Sequence, residues 1–144
     1  MFNSFEERYK YYKLSDNEKR VVLNKIRSVL EGYGVELAIV FGSFVWGKSF
    51  RDIDIAIYSH DLDLDKLLRI GAELEHILGV PVDVVPLDEV SPALRLRILR
   101  EGVIVIERSG AYEYMFMRTC DELETMRIAL GKNSPTCYPE LHNE

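Results

Sequence analysis

The sequence predicts an α/β (α+β) fold, a small mixed β-sheet flanked by helices. Three observations predict it. Short runs of β-branched and apolar residues recur between stretches of helical periodicity. One of those runs, Asp52-Ile53-Asp54-Ile55-Ala56-Ile57, alternates acid with apolar residue, which is the period of a strand. Helix punctuation sits where the period changes, with Ser15 and Ser91 before apolar stripes and Gly32, Gly79 and Gly102 behind them.

Taken in order, residues 2–13 place Phe2, Phe5, Tyr9 and Tyr12 at helical spacing, so they read as a short docked helix or a loosely held arm. Ser15-Asp16-Asn17-Glu18 is a capping box, and Val22, Ile26, Val29 and Leu30 then form an apolar stripe to residue 31. Val35 to Phe41 is the first strand, and Ser43 to Gly47 reads as one helical turn whose leading amides face bound phosphate. Asp52 to Tyr58 is the second strand. The aspartates of Ser59-His60-Asp61-Leu62-Asp63-Leu64-Asp65 lack the glycine and terminal glutamate of a calcium loop and read as a helix cap. The helix over 63–78 buries Leu64, Leu67, Leu68, Gly71, Leu74, Ile77 and Leu78. Pro81 to Val85 is the third strand, closed by Pro86. Ser91-Pro92 opens a helix to Glu101, with Arg95, Arg97 and Arg100 off its apolar face as a solvated surface or a phosphate contact. Val103 to Ile106 is a short fourth strand. Ser109 to Leu130 is a long helix docked on its own domain or shared with a partner. This makes one domain over 1–131, followed by a tail over 132–144 whose two prolines and lack of period predict mobility. The helices are expected mainly on one face of the sheet.

Composition narrows the function classes. A formal net charge of −6 argues against a broad nucleic-acid grip, which needs a basic face. There is no apolar run of membrane-spanning length and no signal-like start. Cys120 and Cys137 have no metal spacing and are too few for a disulfide framework, which predicts a reducing cytoplasm. Three scattered histidines make a zinc site improbable.

The chemistry is concentrated around the second strand. Asp52 and Asp54 point to one face, roughly 6.5 Å apart along the strand, so both carboxylates can converge on hard cations such as magnesium. Asp83 faces opposite to Val82 and Val84 in a later strand, as the two aspartates face opposite to isoleucines. Gly42 lets a polyphosphate approach the backbone, and Ser43 offers it a hydroxyl. The plain alternative is an amphipathic strand with one wet face. Trp46 or Phe44 either stacks on a base or packs on the sheet edge.

Gly42-Ser43, a loop, Asp52-x-Asp54 with flanking isoleucines, and a distal Asp83 in a valine-rich strand resemble the polymerase-beta nucleotidyltransferase superfamily. Within it the chain is most similar to the minimal nucleotidyltransferases, whose members commonly act as antitoxins beside HEPN-domain toxins. The resemblance covers Val35 to Ile106. It implies a polymerase-beta-like fold and Asp52, Asp54 and Asp83 as catalytic and metal-binding residues holding two Mg2+. It also implies ATP as substrate and transfer of AMP to a tyrosine hydroxyl of a HEPN-type toxin. The chain departs from the family in its shorter loop, eight residues between Ser43 and Asp52, and in Phe44, Val45 and Trp46 where arginines are common. Lys48 or Arg51 would then supply the charge that grips the triphosphate. The second expectation is a module that neutralises its partner by binding, with little turnover. A small-molecule acceptor would need an extra domain to shape its pocket.

Overall fold

In the computed structural model, residues 11–130 are described. The order is α1 (Asp16–Glu31), β1 (Leu37–Phe41), α2 (Ser43–Trp46), β2 (Ile53–Tyr58), α3 (Leu64–Leu78), β3 (Val82–Pro86), α4 (Pro92–Glu101), β4 (Val103–Glu107) and α5 (Ala111–Leu130). A single 3-10 turn, Leu87–Glu89, joins β3 to α4. The sheet runs β3-β2-β1-β4, with β1 antiparallel to both β2 and β4 and β2 parallel to β3. This is the mixed sheet that the sequence predicts.

Local chemistry sets the helix ends. The Ser15 hydroxyl accepts from the Glu18 amide at 3.2 Å, and the Glu18 carboxylate accepts from the Ser15 amide at 2.9 Å. Each bond satisfies a backbone donor that the first turn leaves orphaned. Asp63 caps α3 through the Lys66 amide at 2.8 Å, as its spacing predicts. Ser91 caps α4, with Pro92 at the first position.

The helices lie on both faces of the sheet, not mainly on one. Val22, Ile26 and Leu30 of α1 and Ile70, Leu74 and Leu78 of α3 pack with Ala38, Val40, Ile53, Ile55 and Ile57. On the other face Ile98, Leu99, Ala111 and Met115 of α4 and α5 pack on Leu37, Ile39 and Ala56. The reason is width. Four strands about 4.8 Å apart leave room for about two helices of about 10 Å diameter per face. The alternation along β1 and β2 therefore divides two buried sets, and only the end of β2 carries acids.

Two further differences concern the termini. Tyr11 to Leu14 form no helix: Tyr12 is bridged antiparallel to Phe50, with hydrogen bonds of 2.7 and 3.0 Å. The remainder of the 2–13 reading, and the tail over 132–144, lie outside the described residues. Cys120 is buried in α5 and disulfide-bonded, which removes cysteine usage as an argument for a reducing compartment. No helix among the described residues is long and apolar enough to cross a membrane.

Candidate active site

The site forms where β1 ends and β2 and β3 begin. Phe41 pairs with Asp54, and Asp54 pairs with Asp83 across the parallel ladder, so register alone sets the two acids side by side. Asp52 sits one residue before β2. Ligand atoms of Asp52, Asp54 and Asp83 all lie within 4.8 Å of one another. Among the described residues none of the three has an ion-pair partner.

Crowding shows in their titration. Burial, then the charges of Asp52 and Asp83, push Asp54 up to about 6, and a hydrogen bond with Asp83 adds to the rise. Asp83 is also raised, first by burial and then by the charges of Asp52 and Glu75, while its bond from Asp54 opposes the rise. The hydrogen bond between the two carboxyls thus acts in opposite directions, raising Asp54 and lowering Asp83. Clustered hard oxygen donors with no cation of the protein's own suit a divalent ion such as magnesium.

Gly42 closes the site from β1. Its φ of 82° and ψ of −159° belong to glycine, and an added Cβ would strike the Asp54 carboxylate. Ser43 follows as the first residue of α2, exposed, and the amides of Ser43 and Phe44 have no partner among the described residues. Val45 and Trp46 amides both donate to the Gly42 carbonyl, at 3.0 and 2.8 Å. The predicted helical turn is thus present, next to the carboxylates.

The loop to β2 is anchored from inside. Phe50 is buried edge-on to Phe44, ring centroids 4.9 Å apart, an arrangement worth about 0.5–1.5 kcal/mol beyond its burial. Lys48 is exposed, and Arg51 lies over the Tyr11 ring at 5.6 Å. The structure therefore brings together Asp52, Asp54, Asp83 and Gly42, with Ser43 adjoining. Neither Lys48 nor Arg51 is paired to the carboxylates.

Trp46 and Phe44 are packing residues here. Phe44 is buried, and the Trp46 indole donates to the Glu101 carbonyl at 3.2 Å while Arg97 lies 3.9 Å above its ring. Sequence reasoning missed Glu75, whose carboxylate accepts from the Val82 amide at 3.0 Å and acts on Asp83. The signal was there, since Glu75 lies four residues after Gly71 on the side of α3 that turns toward β3. A cleft of about 580 Å³ runs from Asp54 and Asp83 past Glu75 to Leu64 and Leu68. Leu64 and Leu68, expected in the core, are 70% and 63% exposed. A second cleft of about 400 Å³, between Tyr58, His60 and Arg118, contains none of the candidate residues.

The chain is also similar to known proteins. Residues 24–111 match the family model described as polymerase beta, nucleotidyltransferase. A protein from Methanocaldococcus jannaschii classed as a protein adenylyltransferase is 38% identical over 88 residues, covering 59% of this chain and 95% of that one. A chain of a toxin–antitoxin crystal structure with AMP-PNP superposes with a TM-score of 0.65 at 26% identity, covering 74% of this chain and 90% of the other. The complex of a tri-AMPylated Shewanella oneidensis HEPN toxin with its MNT antitoxin matches with a TM-score of 0.64 at 24% identity, over 77% and 91% of the two chains.

Proposed function

Because the chain belongs to the polymerase beta nucleotidyltransferase family, we propose that it transfers AMP from ATP to a hydroxyl of a separate protein. The acceptor is a tyrosine on a HEPN-type toxin, which makes this chain the antitoxin of a cytoplasmic pair. The observation that carries this reading is the unpaired trio of Asp52, Asp54 and Asp83, set against a glycine turn that has room for nothing larger. The relative classed as a protein adenylyltransferase supports the reaction. The complexes with AMP-PNP and with an AMPylated toxin support the nucleotide and the partner.

Two magnesium ions held by Asp52, Asp54 and Asp83 would supply charge neutralisation at both the attacking and the leaving oxygen. Gly42, Ser43 and the first amides of α2 bind the polyphosphate, and Lys48 and Arg51 turn in to balance its charge. The acceptor oxygen forms a bond to the α-phosphorus, the bond from that phosphorus to the α–β bridging oxygen breaks, and pyrophosphate leaves with the electron pair. Asp83, the most exposed of the three and with a raised pKa, takes the hydroxyl proton and passes it to water.

The experiment is incubation with magnesium, ATP and a HEPN-type toxin protein, followed by intact mass. A gain of one or more AMP units that is lost in Asp83→Ala supports the enzyme. A stable complex with no mass change hands the case to a binding module. One observation favours that second reading, since Arg51 rests on Tyr11 and arginines are absent after Gly42-Ser43.

A further inference from the structure

The cleft beside the carboxylates has one wall made of open sheet edge. β3 ends the strand order. The Ile53 amide donates to the Pro81 carbonyl at 3.0 Å, so Pro81, Asp83 and Val85 turn their backbone groups toward β2. Val82 and Val84 turn theirs to the open edge. The Val82 amide is taken by Glu75, and among the described residues the Val84 amide and carbonyl have no partner. An exposed strand edge is a ready template for pairing with another chain.

The opposite wall is α3, and it carries more apolar surface than its own core uses. Ile70, Leu74 and Leu78 are the buried stripe, while Leu64 and Leu68 stand exposed along the cleft and Gly71 faces the Val84 side chain. The cleft runs without interruption to Asp83, and its charged lining residues, Asp54, Glu75 and Asp83, are all acidic. An acidic segment is therefore repelled.

We propose that this cleft receives the acceptor segment of the partner protein as an added, extended strand. It pairs with Val84 on the open edge of β3, its apolar side chains rest on Leu64 and Leu68, and its hydroxyl reaches Asp83. The segment is neutral or basic. This rests on the transferase reading above, to which it adds how the acceptor is held. Main-chain pairing supplies affinity, and the alternate side chains supply register and choice. Side-chain alternation also explains how a hydroxyl could reach Asp83 while its neighbours face α3.

The test uses 15N-labelled protein, free of metal and nucleotide, and a synthetic peptide of alternating valine and threonine. The peptide carries one central tyrosine and lysine at each end. A helix-forming alanine–glutamate–lysine peptide of equal length with one tyrosine is the control. The extended peptide should shift the Val84 amide resonance and slow its hydrogen exchange, and the control should not. Leu68→Lys, an exposed position, should weaken the peptide about tenfold through lost apolar contact and added like charge. Val84→Pro should do the same by removing the edge donor while sparing the ladder to β2. Both variants should bind ATP with magnesium as the wild type does. The proposal fails if the two peptides behave alike, if both variants keep wild-type affinity, or if Val84 becomes protected by dilution-sensitive self-association without peptide. Failure of the transferase reading looks different: the peptide docks at Val84, but ATP with magnesium does not bind or no AMP is transferred.

Discussion

The contact between Gly42 and Asp54 shows how a single residue can be constrained twice. Its backbone lies where side chains are strained, and its missing Cβ is the space that the Asp54 carboxylate occupies. The glycine could be read from the sequence as a turn, but its second duty could not, because the two residues are twelve positions apart and meet only through the β1–β2 register. The expected cost of Gly42→Ala is about 1–3 kcal/mol of stability, from the glycine-only conformation alone. The nucleotide should suffer more, with affinity for ATP and magnesium falling more than tenfold as Asp54 is displaced. Urea unfolding and calorimetric titration measure the two effects. If affinity were unchanged while stability fell, Gly42 would be a turn residue and nothing else.

At the scale of elements, sequence periodicity identified each helix and strand but not always the face it buries. The acid–isoleucine alternation at the start of β2 was legible because carboxylates and isoleucines must turn to opposite faces. α3 was not, since seven apolar positions spread over more than the arc the sheet can cover, leaving Leu64 and Leu68 outside. The arginines of α4 gave the opposite error. Arg95, read as surface or ligand contact, is 2% exposed and ties α4 to its surroundings. Its guanidinium donates to the carbonyls of Leu87, Asp88 and Val90 at 3.0, 3.0 and 2.8 Å, and to Glu122 of α5 at 2.5 Å. A lone arginine at an apolar helix position is a signal only when acceptors are known, and three of these are backbone oxygens of one short turn. Arg95→Ala should cost about 3–5 kcal/mol, since it takes the donor from three backbone carbonyls at once. The measurement is the shift in urea midpoint at unchanged slope. A cost below 1 kcal/mol, on the order of an exposed pair, would show that water enters to replace the guanidinium.

For the whole molecule, the two helical layers hold a sheet whose site end is electrostatically unfavourable by itself. The facing of the acids was legible because each lies opposite apolar neighbours in its own run; their mutual spacing was not, since it depends on which strands are neighbours. A chain of net charge −6 with three unpaired acids in contact is set to gain stability from cations. The sign follows from Asp54. Its folded pKa, about 6, lies above its ordinary 3.8, so the folded state holds the proton more tightly. That contribution is fully present below pH 3.8 and is lost as pH rises through about 6. Asp83 shifts the same way. In chelator, the wild type minus Asp54→Asn difference in stability should therefore fall across this window, and at pH near 8 the variant should melt higher. Adding magnesium and ATP should invert that order, because the cations bind only the deprotonated trio. The wild type should gain about 2.7 kcal/mol at ligand one hundred times Kd, and the variant almost nothing. Thermal melts with and without chelator at several pH values read both halves. A variant that melts below the wild type in chelator at pH near 8 would mean the ionised trio is already neutralised by the protein itself, and the case for metal would go with it.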